Sequence, residues 1–215
     1  MNHRDVRVDV GDARLDGALA IAAAGAGLVI FAHGSGSGRL SPRNLQVAGV
    51  LNRAGLSTLL FDLLTPDEQA LDERTGELRF AIDLLTARLV GVIDWGECQP
   101  AIAGLRIGLF GASTGAAAAL GAAAARPDRI AAVVSRGGRP DLALASLPAV
   151  LAPTLLIVGG EDGVVIELNR KAAAQLRAPH RLDIVPGATH LFPEPGALEQ
   201  VEELTRDWFV EHLAP

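Results

Sequence analysis

Ser113 stands in Gly111-Ala112-Ser113-Thr114-Gly115, directly after the apolar run 105–110 and directly before the alanine-rich stretch 116–125. Gly-x-Ser-x-Gly between a strand and a helix is the spacing that presents a serine hydroxyl as a nucleophile on a sharp turn. The backbone folds back on itself at such a turn, so the positions two before and two after the serine must be small. The helix that follows aims unpaired N–H groups and its positive dipole end at the place where an oxyanion would form. These residues imply acyl-transfer chemistry on Ser113.

A serine hydroxyl is a weak nucleophile near neutral pH and needs a base, for which histidine has the suitable pKa. Of the five histidines, His3 falls in an expected frayed terminus, His212 on the last helix, and His180 before a strand at the wrong end of a parallel sheet. His33 closes the first buried strand, among glycines that suggest another task. His190, in Gly187-Ala188-Thr189-His190-Leu191-Phe192 between the last strand and the last helix, emerges at the same sheet edge as Ser113 and is the candidate base. The base needs a carboxylate to fix its tautomer. Val158-Gly159-Gly160-Glu161-Asp162-Gly163 leaves a strand at that edge and offers Asp162, with Glu161 as the rival and helix capping as the other task for Asp162. The chain order is Ser113, Asp162, His190.

His33-Gly34-Ser35-Gly36-Ser37-Gly38 follows the first buried strand, where small residues let a backbone N–H approach a substrate carbonyl. The oxyanion donors are expected to be the N–H groups of Thr114 and Ser35, or Gly36 by a shift of one. A dinucleotide loop, with Asp62 as its ribose acid, is excluded by spacing: Arg39 stands where the last glycine of Gly-x-Gly-x-x-Gly belongs. Arg39, Arg43, Arg136 and Arg139 are expected around the same edge. Arginine grips carboxylate or phosphate bidentately, so Gly36, Arg39 and Arg136 are candidate substrate-binding positions. The competing expectation is ion pairing with Asp141, Glu161 or Asp162.

The elements that carry these residues are legible from periodicity. Val6, Val8 and Val10 alternate with polar residues, and after Gly11-Asp12 the alternation resumes at Leu15, which predicts an N-terminal hairpin. Continuous apolar runs at 28–32, 56–61, 105–110, 130–134 and 154–158, and a more polar run at 181–185, predict strands of a mostly parallel sheet. Helices are expected from Ser41-Pro42 to about Ala54, over 78–95, after Ser113 to Arg126-Pro127, over 167–176 and over 197–212. The polar stretch Thr65 to Gly76 is expected as a loop, and Trp95 and Trp208 as packing residues.

With 215 residues, 49% hydrophobic and 20% charged, the sequence is expected to form one domain over 1–215. A net charge of −6 argues against a nucleic-acid partner. No apolar run approaches the ~20 residues of a membrane span, and the first residues lack an apolar signal core, so no membrane association and a cytoplasmic location are expected. Cys98 is the only cysteine, expected as a small filler near a helix end. The histidines lack metal spacing, so no metal or cofactor is expected.

The three motifs in this order resemble the α/β-hydrolase superfamily, and the small size resembles its dienelactone-hydrolase-like members. The resemblance runs from Leu15 to Leu213. It implies a three-layer α/β sandwich on a mostly parallel eight-stranded sheet with the second strand antiparallel, with nucleophile Ser113, acid Asp162 and base His190. Dienelactone hydrolases use a cysteine nucleophile, so their lactone substrate does not transfer to a chain with serine at 113. Only sixteen residues separate Arg136 from Pro153, where larger relatives insert a lid, so an open, shallow pocket and a small or short-chain ester are expected. Thioesters, lactones and amides, acyl transfer to an alcohol or amine, and a silent ligand-binding scaffold are the alternatives. The oligomeric state is not legible in the sequence.

Overall fold

Runs of Val, Ile, Leu and Phe long enough to be covered on both faces form the middle of one eight-stranded sheet in this computed structural model, which describes residues 3–23 and 25–213. The two N-terminal and two C-terminal residues and Ala24, in the expected Ala/Gly loop 22–27, lie outside the described residues. The strands are β1 (His3–Asp9), β2 (Arg14–Ala20), β3 (Leu28–Ala32), β4 (Ser57–Phe61), β5 (Ile107–Ala112), β6 (Ile130–Arg136), β7 (Thr154–Gly159) and β8 (His180–Val185). Their order is β1-β2-β4-β3-β5-β6-β7-β8. β2 pairs antiparallel with both β1 and β4, and every later pairing is parallel. His3, expected in a frayed end, instead begins β1 opposite Ala20.

Two helical layers cover the sheet. On one face α1 (Pro42–Arg53) and α6 (Ala197–Leu213) bury Val47, Leu51, Val201 and Phe209 against Phe31, Phe110 and Val134. On the other lie α3 (Ile82–Glu97), α4 (Thr114–Ala125) and α5 (Gly163–Ala173), over Ile30, Leu109 and Val133. Ser41 caps α1, its Oγ accepting from the Asn44 N–H at 3.5 Å, with Pro42 at the first helical position. α4 is buried from Thr114 to Ala123 because alanine and glycine let its axis approach both the sheet and α3. At Gly121 a Cβ would come within 2.7 Å of Thr86 Oγ1. Phe209 fills the space above Gly108, where a Cβ would lie 2.5 Å from its ring.

Thr65 to Gly76 corrects the sequence reading: the expected loop is a helix, α2 (Pro66–Thr75). Its apolar periodicity is absent, and Asp72 is its only buried residue. A reciprocal cap holds its start, with the Glu68 N–H donating to Thr65 Oγ1 at 3.3 Å and the Thr65 N–H donating to Glu68 Oε2 at 2.8 Å. Gly76, at φ 71°, ends it in the left-handed conformation. Ion pairs then tie the helix down: Arg79 Nε to Asp72 Oδ2 at 2.9 Å, and the buried Arg88 to Glu68 at 2.7 Å. α5 begins at Gly163, four residues before the expected start, and Cys98 is exposed at the end of α3 rather than filling the core. Trp95 and Trp208 pack against the two cores as expected. Residues 137–152 form two short 3-10 turns, Pro140–Ala143 and Leu147–Ala149, with no inserted domain.

Candidate active site

Ser113 joins β5 to α4 at φ 50°, ψ −120°, a conformation costly for any residue with a side chain. Close backbone approach over-determines it. A Cβ on Gly111 would lie 2.4 Å from Ala116 Cα, and one on Gly115 would lie 2.3 Å from the Ala32 carbonyl oxygen, so both flanking positions admit glycine alone. The neighbouring strand locks the turn: the Ser113 N–H donates to the Arg136 carbonyl at 3.2 Å, and the Arg139 N–H donates to the Ser113 carbonyl at 3.0 Å.

Asp162 and His190 meet across the exits of β7 and β8. His190 Nδ1 lies 2.6 Å from Asp162 Oδ2, so the ring donates its Nδ1 proton to the carboxylate and keeps Nε2 as an acceptor. The two loops are stitched by their backbones, with the Gly160 N–H donating to Val185 at 2.8 Å and the Glu161 N–H donating to Ala188 at 2.9 Å. Phe192, at φ 55° and buried, anchors the histidine loop in the core. Asp162 precedes α5 without capping it by its side chain, which leaves that carboxylate to His190. Glu161 is exposed and makes no such contact.

Gly137 connects the two halves of the site. It follows Arg136, which holds the Ser113 N–H, and a Cβ placed on it would lie 3.5 Å from His190 Cε1. Ser113 and the His190 ring thus flank one short segment. Ser113 Oγ makes no hydrogen bond among the described residues; serine–base contacts commonly tighten only with substrate in place. Beside them, the N–H groups of Thr114, Ser35 and Gly36 donate to no backbone carbonyl among the described residues. Ser35 Oγ and Thr114 Oγ1 are 3.0 Å apart, which holds the two donor segments together. His33 serves this loop structurally: Nδ1 meets the Gly34 carbonyl at 3.0 Å and Nε2 accepts the Leu63 N–H at 3.0 Å. Burial pushes its pKa down and keeps the ring neutral.

All four rim arginines lie near this edge, in two different states. Arg39 donates to Asp62, and Arg139 pairs with Asp141 at 2.8 Å as one expectation held. The Arg39 partner, Asp62, was not among the carboxylates expected. Arg136 is 6% exposed and has no ion-pair partner among the described residues, its guanidinium 5.9 Å from the Phe110 ring centroid. Burial, then the like charge of Arg43, pushes its pKa down to about 10. An open cleft of about 490 Å³ lies on the side of the 33–38 loop, walled by Gly36, Arg39, Pro42 and Asp62 and by Pro66 and Gln69 at the start of α2. Ser113 and His190 stand outside its walls. The helix missed in the sequence thus forms one side of this cleft.

Among the described residues no cluster could hold a metal ion, and no helix is long and apolar enough to cross a membrane. The chain is 55% identical to a dienelactone hydrolase from Anabaena variabilis, with 98% of each chain covered and a TM-score of 0.97. Est1E from Butyrivibrio proteoclasticus, at 18% identity and a TM-score of 0.82 over 97% of this chain and 98% of that one, shares the fold. A Mycobacterium tuberculosis protein provisionally named a phosphoribosyl transferase is 54% identical over 99% of this chain, which spans only 47% of that relative's length. The Dienelactone hydrolase family matches residues 45–211. With this match and the likeness to the Anabaena protein, the chain belongs to the dienelactone hydrolase family, on the α/β-hydrolase fold.

Proposed function

We propose that the protein hydrolyses small or short-chain carboxylic esters through an acyl-enzyme on Ser113. The observation that carries this reading is the 2.6 Å contact between His190 Nδ1 and Asp162, which leaves His190 Nε2 a proton acceptor at the edge where Ser113 sits. Nε2 takes the Ser113 proton as Oγ attacks the ester carbonyl carbon. The resulting oxyanion is held by the N–H groups of Thr114 and Ser35, or Gly36 in place of Ser35. The bond to the leaving oxygen breaks as His190 returns the proton to the departing alcohol. His190 then deprotonates a water that attacks the acyl carbon, and the carboxylic acid leaves as Ser113 regains its proton. Removing oxyanion donors of this kind costs on the order of 10²–10³ in kcat.

The absence of an inserted domain between Arg136 and Pro153 supports a small acyl group. A series of p-nitrophenyl esters from acetate to decanoate tests this, with kcat/KM expected to fall as the acyl chain lengthens past about four carbons. A rate that rises toward decanoate contradicts the short-chain assignment. The name of the Anabaena protein brings lactones, which are cyclic esters, into the same screen. Product analysis with added alcohol or amine separates hydrolysis from acyl transfer.

A further inference from the structure

Three carboxylates at the catalytic edge already hold partners. Asp62 holds Arg39, Asp141 holds Arg139, and Asp162 holds His190. Among the described residues, Arg136 and Arg43 receive none. Arg136 Nη1 is enclosed with no hydrogen-bond partner among the described residues, and Arg43 Nε is in the same condition. A guanidinium has no acceptor capacity and stays protonated, so burial without an anion leaves its charge uncompensated. Here the charged neighbour that acts on Arg136 is Arg43, of the same sign. The cation–π contact with Phe110 occupies one face of the group and leaves its in-plane donors unbonded.

Position gives this pair its meaning. The Arg136 carbonyl receives the Ser113 N–H, so the side chain starts one backbone hydrogen bond from the nucleophile. Arg136 is in register with Ala112, whose side chain belongs to the core on the α1 and α6 side of the sheet. Arg43 comes to the same place from the first turn of α1. Two guanidiniums in this arrangement offer forked donors and a net charge that a compact anion would neutralise. We propose that Arg136 and Arg43 bind a compact oxyanion, carboxylate or phosphate, carried by the substrate on the α1 side of Ser113. Its place on the substrate rests on the reading of Ser113 as nucleophile; the anion site itself does not.

Two measurements separate those parts. Thermal melts of the wild type and of Ser113→Ala, in phosphate, succinate or chloride at matched ionic strength, read anion binding without turnover. Both proteins should melt several degrees higher in phosphate or succinate than in chloride, and Arg136→Gln should lose at least half of that shift. The larger of the two shifts identifies the anion as phosphate or carboxylate. Kinetics then reads the substrate: the ratio of kcat/KM for p-nitrophenyl hemisuccinate and a phosphono-acyl analogue to that for p-nitrophenyl butyrate should fall at least tenfold in Arg136→Gln. It should fall less in Arg43→Gln, a half-exposed position that guards against a folding defect at 136, and recover in part in Arg136→Lys. No anion-specific shift in the wild type, or a ratio unmoved in both glutamine variants, overturns the proposal. If no ester is turned over but the phosphate or succinate shift persists in Ser113→Ala, the anion site stands and the esterase reading fails.

Discussion

Replacing Arg136 with methionine should make the protein more stable. The side chain is 6% exposed and has no ion pair among the described residues, and its pKa is pushed down to about 10 by burial first and by Arg43 second. A drop of roughly two and a half pKa units, at about 1.36 kcal/mol each, means that the folded protein carries the charge at a cost of about 3 kcal/mol at neutral pH. The folded-state pKa is the lower one, so this cost is complete below about pH 10 and is relieved only as pH rises through that value. Methionine follows the apolar stem of the arginine, ends short of the Cζ that meets Phe110, and removes the charge. Imperfect packing returns part of the gain, leaving an expected stabilisation of about 1–3 kcal/mol. At this chain size each kcal/mol raises Tm by about 2–4 °C. Urea denaturation followed by circular dichroism, in a buffer of low anion content, measures it directly. Arg139→Met is the control, because that arginine has its carboxylate, and it should be neutral or destabilising. An Arg136→Met protein no more stable than the wild type would show that the buried charge is compensated, and would remove the physical basis of the anion site.

Asp162→Asn and His190→Ala should each lower kcat for a short ester by roughly 10³–10⁴ with a smaller effect on KM, whereas Glu161→Gln, an exposed position, should leave kcat within about threefold; steady-state kinetics checks all three. Gly115→Ala should fail to fold or lose more than about 3 kcal/mol, because its Cβ would sit 2.3 Å from the Ala32 carbonyl oxygen; far-UV circular dichroism and urea midpoints report this. His33 is neutral in the folded protein with its pKa lowered by burial, so its contribution is complete above about pH 6.5 and is lost as pH falls below that value. Protonation would turn Nε2 against the Leu63 N–H it accepts. Tm should therefore fall between pH 7.5 and 5, and less steeply in His33→Gln.

The fold was legible where burial dictates composition. Strands covered on both faces must be apolar throughout, and β3, β4, β5, β6 and β7 declared themselves that way. α2 did not, because a helix held by ion pairs carries no apolar stripe. Its signals were the cap Thr65-Pro66-Asp67-Glu68 and the terminal Gly76, which carry no information about what the helix docks on. The early start of α5 was hidden for a related reason: Asp162 precedes that helix without a side-chain cap, its carboxylate being turned to His190. At the site, residue types and sheet-edge logic were sufficient to bring Asp162 to His190 and to place the glycines around Ser113. Ion pairing was not readable, since Arg39 chose Asp62, a strand-end carboxylate 23 positions away, and Arg136 chose nothing.

Incubation with a fluorophosphonate, followed by peptide mass mapping, tests the central claim most directly, because only a hydroxyl activated by a base and facing an oxyanion site attacks phosphorus readily. One stoichiometric adduct is predicted on the peptide containing Ser113, absent in Ser113→Ala and slowed by orders of magnitude in His190→Ala. A wild-type protein that stays unmodified, or one modified at another serine, contradicts the account.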